Sequence, residues 1–151
     1  MPKIEFTIPL VPCGQMRARH AARKLKTGKV ISTTYKDELQ CLREESLFPH
    51  LVPHVPPQPI TGPILLGVEC YMPIPESWSE KRKQAFYQNE RLGDPVPYTK
   101  TPDLDNAIKH IKDAMTMTRF WSDDKQIYRY LAGTGKYYSR VPRWVITVEF
   151  N

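Results

Sequence analysis

Prolines limit where this chain can run a sheet or a helix more than any other residue does. Of its fifteen prolines, six fall between residues 49 and 63: Pro49, Pro53, Pro56, Pro57, Pro59 and Pro63. Proline has no amide hydrogen to give a ladder or a helix interior, so this stretch predicts an extended loop with regular structure on either side. Neither side is long enough to make a complete domain, and 151 residues suit one compact core, so the expectation is a single domain over 1–151.

The remaining segments show clear periods. Ile4, Phe6, Ile8 and Leu10 alternate, which predicts a half-buried strand over 3–10 ended by Pro9 and Pro12. Residues 13–34 read as a loop or irregular hairpin around Gly28, with Val30, Ile31, Thr33 and Thr34 on its return side. A helix is expected over about 36–48, stopping at Pro49. A strand over 64–72 would put Ile64, Leu66, Val68, Cys70 and Met72 on one face, before Pro73 and Pro75 end it. Ser77 or Ser79 can cap a short helix SEKRKQAFYQNE, whose basic first turn opposes the usual macrodipole preference. A helix from near Asp105 to about Met117 follows, then a strand from Ile127 and a last strand RWVITVEF. The fold class this predicts is α+β, a mixed sheet with packed helices.

Composition excludes several function classes. Hydrophobic residues at 40% and charged residues at 25% are ordinary for a globular protein. The longest apolar runs, such as Ile64-Leu65-Leu66, fall far short of the ~18 residues a membrane span needs. The N-terminus alternates like a strand and lacks a charged leader followed by an apolar stretch, so a cytoplasmic location is the default expectation. Cys13, Cys41 and Cys70 are odd in number and widely spaced, and the four histidines show no zinc-site spacing with them.

Charge is unevenly spread. The formal net charge is +6, and no acidic residue occurs from Thr7 to Lys36, where Arg17, Arg19, Arg23, Lys24, Lys26, Lys29 and Lys36 lie. Such a run is either a solvated basic loop or an arm that neutralises phosphates. Against this background TPDLDNAIKHIKDAMTMTRFWSDDKQ, residues 101–126, collects five aspartates. At roughly 100° per residue, Leu104, Ala107, Ile108, Ile111, Ala114, Met115 and Thr118 form a core arc. Asp105, Lys109, Lys112 and Asp113 fall opposite, with Asp105 and Lys109 one turn apart.

An aspartate at a helix start is commonly a cap, and Asp123 and Asp124 after Trp121 suit a turn. One aspartate is enough to cap, however, and PDLDN supplies two. Oxygen donors in clusters suit Mg²⁺, which binds through a few carboxylates, waters and substrate phosphates. A cation there also reverses the sign that bare carboxylates would present to a phosphodiester.

Pro102-Asp103-Leu104-Asp105-Asn106, Lys109, Asp113-Ala114 and Phe120-Trp121-Ser122-Asp123-Asp124, followed by Gln126-Ile127, resemble the signature of the RusA family of Holliday junction resolvases, endodeoxyribonucleases of bacteria and phages. Weaker similarity extends to IEFTIPL, the basic segment and VECYMP, so most of the chain is covered. Where many relatives carry a QRPR-like element, this chain has Gln15-Met16-Arg17-Ala18-Arg19.

The resemblance implies Mg²⁺-dependent hydrolysis of DNA phosphodiesters at four-way junctions by a homodimer, whose twofold axis offers two equivalent sites for paired nicks. It implies metal binding by Asp103, Asp105 and Asp124, a catalytic Lys109, and supporting places for Asp113 and Asp123. Lys136 matches a later lysine of the family. Phosphate contacts are expected from Arg17, Arg19, Arg23, Lys24, Lys26 and Lys29. Two other readings stand beside this one: a nuclease for flaps, forks or other branched DNA, and a non-catalytic DNA-binding module. A protein-interaction domain with an incidental basic loop is a third.

Overall fold

A computed structural model describes residues 1–16, 19–35, 38–93 and 95–151. Its elements are β1 (Lys3–Ile8), β2 (Arg19–Lys24), β3 (Val30–Tyr35), α1 (Glu38–Leu51), β4 (Ile64–Pro73), α2 (Glu80–Arg91), α3 (Leu104–Met117), β5 (Ile127–Tyr130), β6 (Gly135–Ser139) and β7 (Arg143–Phe150). Single turns of 3-10 helix follow α1 at Val52–His54 and precede β5 at Asp124–Gln126.

The fold is α+β with a mixed sheet, as the patterning predicts. β7 lies between β1 and β4 and is antiparallel to both, with Ile8 opposite Trp144 and Val68 opposite Ile146. The far edge of β4 is shared: β5 pairs in parallel with Ile64–Leu66 and β6 in parallel with Glu69–Pro73. β2 and β3 form a separate two-stranded hairpin, Arg19 opposite Tyr35. It turns at Gly28, whose φ of 85° is a backbone conformation that suits glycine.

Strand alternation becomes burial where one face meets the helices. On β7, Trp144, Ile146 and Val148 are buried, and on β1 so are Phe6 and Ile8. They pack with Ile64, Leu66, Val68, Cys70 and Met72 of β4, Leu47 and Leu51 of α1, and Ala107, Ile108, Ile111, Ala114 and Met115 of α3 in one core. Each large aliphatic side chain buried this way contributes on the order of 1.5–3 kcal/mol. Leu65 of β4 is buried as well, so this central strand does not alternate.

Two sequence expectations are corrected. α1 does not stop at Pro49; it includes that residue and continues to Leu51. Proline there removes one backbone hydrogen bond and crowds the preceding turn, about 3 kcal/mol, which the burial of Leu47 and Leu51 together, at about 1.5–3 kcal/mol each, offsets. The expected start of this helix at residue 36 lies outside the described residues. β6, for which no strand was expected, takes its place along β4 through the Cys70–Lys136 and Met72–Tyr138 pairs. Among the described residues, no helix is long and apolar enough to cross a membrane.

Candidate functional site

α3 begins where the aspartates begin. Asp103 occupies its N-cap position with extended backbone (φ −61°, ψ 145°), and its carbonyl accepts the Ala107 amide at 3.0 Å. The Asp103 side chain makes no capping hydrogen bond and is exposed, so capping does not account for its carboxylate. Asp105, in the first turn, and Lys109, one turn on, are also exposed. Two carboxylates therefore stand at the positive end of a helix dipole, where negative charge is favoured.

The segment leading into α3 is held by a lysine. Lys136 of β6 donates through Nζ to the carbonyl oxygens of Lys100 and Pro102, 2.7 Å each, and Nζ lies 5.5 Å from the Tyr98 ring centre. Charge-assisted bonds of this kind are about twice as strong as neutral ones. They fix the backbone immediately before Asp103.

The WSDDKQ segment divides into supports and an acid. Trp121 is fully buried and donates from Nε1 to Thr116 Oγ1 at 2.7 Å, which ties the turn to α3. Gln126 Oε1 accepts from the amides of Ser122 (3.0 Å) and Asp123 (2.9 Å), while its Nε2 donates to the carbonyls of Ile60 (2.7 Å) and Gly62 (3.0 Å). Asp123 Oδ1 accepts from the Lys125 amide at 2.9 Å, and that bond holds its carboxyl below the usual carboxylate range. Asp123 thus caps the turn. Asp124 is half-buried at its first position.

The turn packs against α3. Among the described residues, however, no three histidine, cysteine, aspartate or glutamate side chains stand together as a metal-binding group. Asp103 and Asp105 share one helix start; Asp124 is on a separate turn and is not gathered with them into a ready set of ligands.

Asp113, read from the helical wheel as part of the polar face, turns toward the protein. Its Oδ2 accepts from Gln15 Nε2 at 2.6 Å. Gln15 belongs to a segment gripped by both helices: Asn106 Nδ2 donates to Gln15 O (3.0 Å), Arg43 Nη1 to Gly14 O (3.2 Å), and the Met16 amide to Gln40 Oε1 (2.7 Å). A Cβ on Gly14 would stand 2.6 Å from Asn106 Nδ2, so a larger residue there would push Asn106 off the Gln15 carbonyl. Gln40 is buried and continues through Nε2 to Glu44 Oε1 (3.0 Å) and to the His110 ring at Nδ1 (3.3 Å).

Between this segment and the start of α3 lies an open cleft of about 470 Å³, lined among others by Cys13, Gly14, Arg43, Pro102, Asp103 and Asn106. Arg43 brings a guanidinium into the same cleft as Asp103; the sequence offered no signal for it, because it resembles any other arginine on an amphipathic helix. Burial pushes the Cys13 thiol up and that of Cys70 to about 12, so neither is a thiolate at neutral pH.

The expected phosphate contacts begin just beyond the gripped segment. Arg17 lies outside the described residues, as does Lys36. Arg19 opens β2. Arg23, Lys24, Lys26 and Lys29 are exposed along the hairpin and its turn.

The model of the family described as "Endodeoxyribonuclease RusA" matches residues 9–149. A Bacillus subtilis (strain 168) protein, "Uncharacterized protein YqaN", is 30% identical over 149 residues, covering 97% of this chain and 95% of its own.

Proposed function

The chain belongs to the RusA endodeoxyribonuclease family, and from that premise we propose that it is a single-domain, Mg²⁺-dependent endonuclease that resolves four-way DNA junctions by paired nicks as a homodimer. The observation that carries this reading is the Asp103 carboxylate, which sits at a helix N-cap without capping it. A structural aspartate at that position would be bonded to the first-turn amides.

Asp103, Asp105 and Asp124 form an oxygen-only donor set, which fits Mg²⁺. Because Mg²⁺ needs only one or two protein carboxylates beside waters and substrate phosphates, the pair at the start of α3 suffices to begin a site and Asp124 can complete it. When bound, the ion supplies an activated water and a counter-charge for the scissile phosphate. The protein's own part is positional and electrostatic. Lys136 fixes the approach to Asp103, Lys109 offers an exposed ammonium one turn from Asp105, and the hairpin cations neutralise flanking phosphates. A twofold dimer doubles this single cluster, as symmetric nicking requires.

The test is cleavage of a labelled four-way junction by wild type and Asp105→Asn in Mg²⁺ and in EDTA. Wild type should nick only with Mg²⁺, and Asp105→Asn should bind but not cut. Normal cutting by that variant would remove the assignment. Flap, fork and linear duplex substrates in the same assay separate junction resolution from broader branched-DNA cleavage.

A further inference from the structure

The basic first turn of α2 runs against its helix dipole. Ser79 caps the helix by accepting from the Arg82 amide at 3.2 Å, yet Lys81, Arg82 and Lys83 crowd the end where the helix dipole disfavours cations. Over its whole length α2 carries four basic residues against two acidic ones. Lys83 faces Glu80 at 3.6 Å, while Lys81, Arg82 and Arg91 are exposed.

The arginines here are arranged on rings. The Arg82 guanidinium lies 3.8 Å over Trp78, and that of Arg140, beyond the end of β6, lies 4.4 Å over Tyr87. Stacking occupies the face of a guanidinium and leaves its edge donors outward in a fixed plane, the form in which arginine binds phosphate oxygens. Beside them is an open cleft of about 370 Å³ lined by Tyr87, Glu90, Arg91, Arg140, Val141 and Arg143 together with Ser139. The acid among these lining residues is turned inward: Glu90 Oε1 accepts from Ser139 Oγ at 2.6 Å and Oε2 is buried. Arg143 is tied to Ser139 Oγ and Val141 O. The outward charge of the face is therefore that of Lys81, Arg82, Arg91 and Arg140, with Glu80 the exposed acid of α2 beside Lys83.

A chain of aromatic contacts joins this face to the segment before Asp103. Lys136, which holds Pro102, contacts Tyr98; Tyr98 meets Tyr138 at 4.9 Å, and Tyr138 meets Trp78 at 5.0 Å beneath Arg82. From Lys136 to Arg140 is four residues, on the order of 13 Å at strand rise, well within one helical turn of duplex DNA, about 34 Å.

We propose that the α2 face is a second phosphate-binding surface, which takes the backbone of a DNA arm beside the acidic site. It rests on the nuclease reading given above and adds a surface to the hairpin cations.

The experiment is junction binding without divalent cation over a salt series, with wild type, the triple variant Arg82→Gln/Arg91→Gln/Arg140→Gln, and its all-lysine counterpart. Each lost phosphate contact lowers the slope of log K against log salt by about 0.9, so the glutamine variant should lose roughly 2–3 in slope. The lysine variant should retain the wild-type slope, and single-turnover cleavage at saturating junction should stay within about twofold in both. Lys81→Glu, an exposed change that leaves the stacked arginines in place, should also reduce the slope and serves if the triple variant does not fold. A wild-type slope in folded glutamine and Lys81→Glu variants overturns the proposal while leaving the nuclease reading intact. A wild type that neither binds nor cuts junctions overturns both.

Discussion

The ammonium of Lys136 donates to the carbonyl oxygen of Pro102 at 2.7 Å, one residue before Asp103. This bond joins β6 to the start of α3, and with the Lys100 contact it sets where the first carboxylate stands. Lys136→Met keeps the stem and removes both bonds. Displacements of about 1 Å at a reacting centre can cost 10²-fold, so single-turnover cleavage should fall by roughly 10- to 100-fold with junction affinity nearly unchanged. An unaltered rate would show that the loop does not need this anchor.

Lys109 is exposed one turn after Asp105. If its ammonium meets charge that develops only in the transition state, Lys109→Met should lower kcat by about 10²–10³. KM for the junction should change little. A rise in KM with kcat intact would instead make Lys109 a ground-state phosphate contact.

Gln126 joins two amides of its own turn to the carbonyls of Ile60 and Gly62. Gln126→Ala removes four bonds and leaves the Asp123 amide and the Gly62 carbonyl without this partner, while the Ser122 amide keeps its 3.3 Å bond to Ile60 O, a loss of about 1–3 kcal/mol, or a fall of several degrees in Tm for a chain of this size. Because the same turn carries Asp124, cleavage should drop further than stability alone explains. Thermal unfolding and cleavage well below Tm, measured together, check both parts.

His110 is fully buried, and burial is the largest influence lowering its pKa from 6.5; Arg43 acts the same way, while Glu44 and Asp113 oppose it. A base whose folded pKa is depressed is protonated first in the unfolded chain. Its contribution is therefore complete above about pH 6.5 and is lost as pH falls from there toward the folded pKa. Tm should decline over that acid window, and His110→Leu should flatten this part of the decline. Parallel curves for the two proteins would exclude His110 as the titrating group.

Periodicity made much of this legible in advance. The core arc of α3 and the strands β1 and β7 follow from apolar spacing, because one-sided burial leaves its period in the chain. Asp103, Asp105 and Lys109 were visible for a similar reason: sequence neighbours on one helix start remain spatial neighbours. Asp113 was not, since its partner Gln15 is 98 residues away and a helical wheel cannot see across that distance. The buried Gln40, Glu44 and His110 escaped in the same way. Gln40 reaches the Met16 amide and the His110 ring, on other parts of the chain, and nothing local in the sequence marks those bonds. β6 was missed because Tyr137 and Tyr138 are both half-buried and show no clean alternation.

The pairing of Arg19 with Tyr35 has a consequence for how this protein can be altered. The chain leaves the main body and returns to it at adjacent points, about 5 Å apart across an antiparallel pair. The hairpin between them is a detachable loop in the topological sense. It can be lengthened, labelled at the exposed Lys26–Lys29 turn, or exchanged for another hairpin while the sheet and α3 keep their connections. The aspartates at the start of α3 and the cations of the hairpin thus lie on separable elements, each open to change without rebuilding the other.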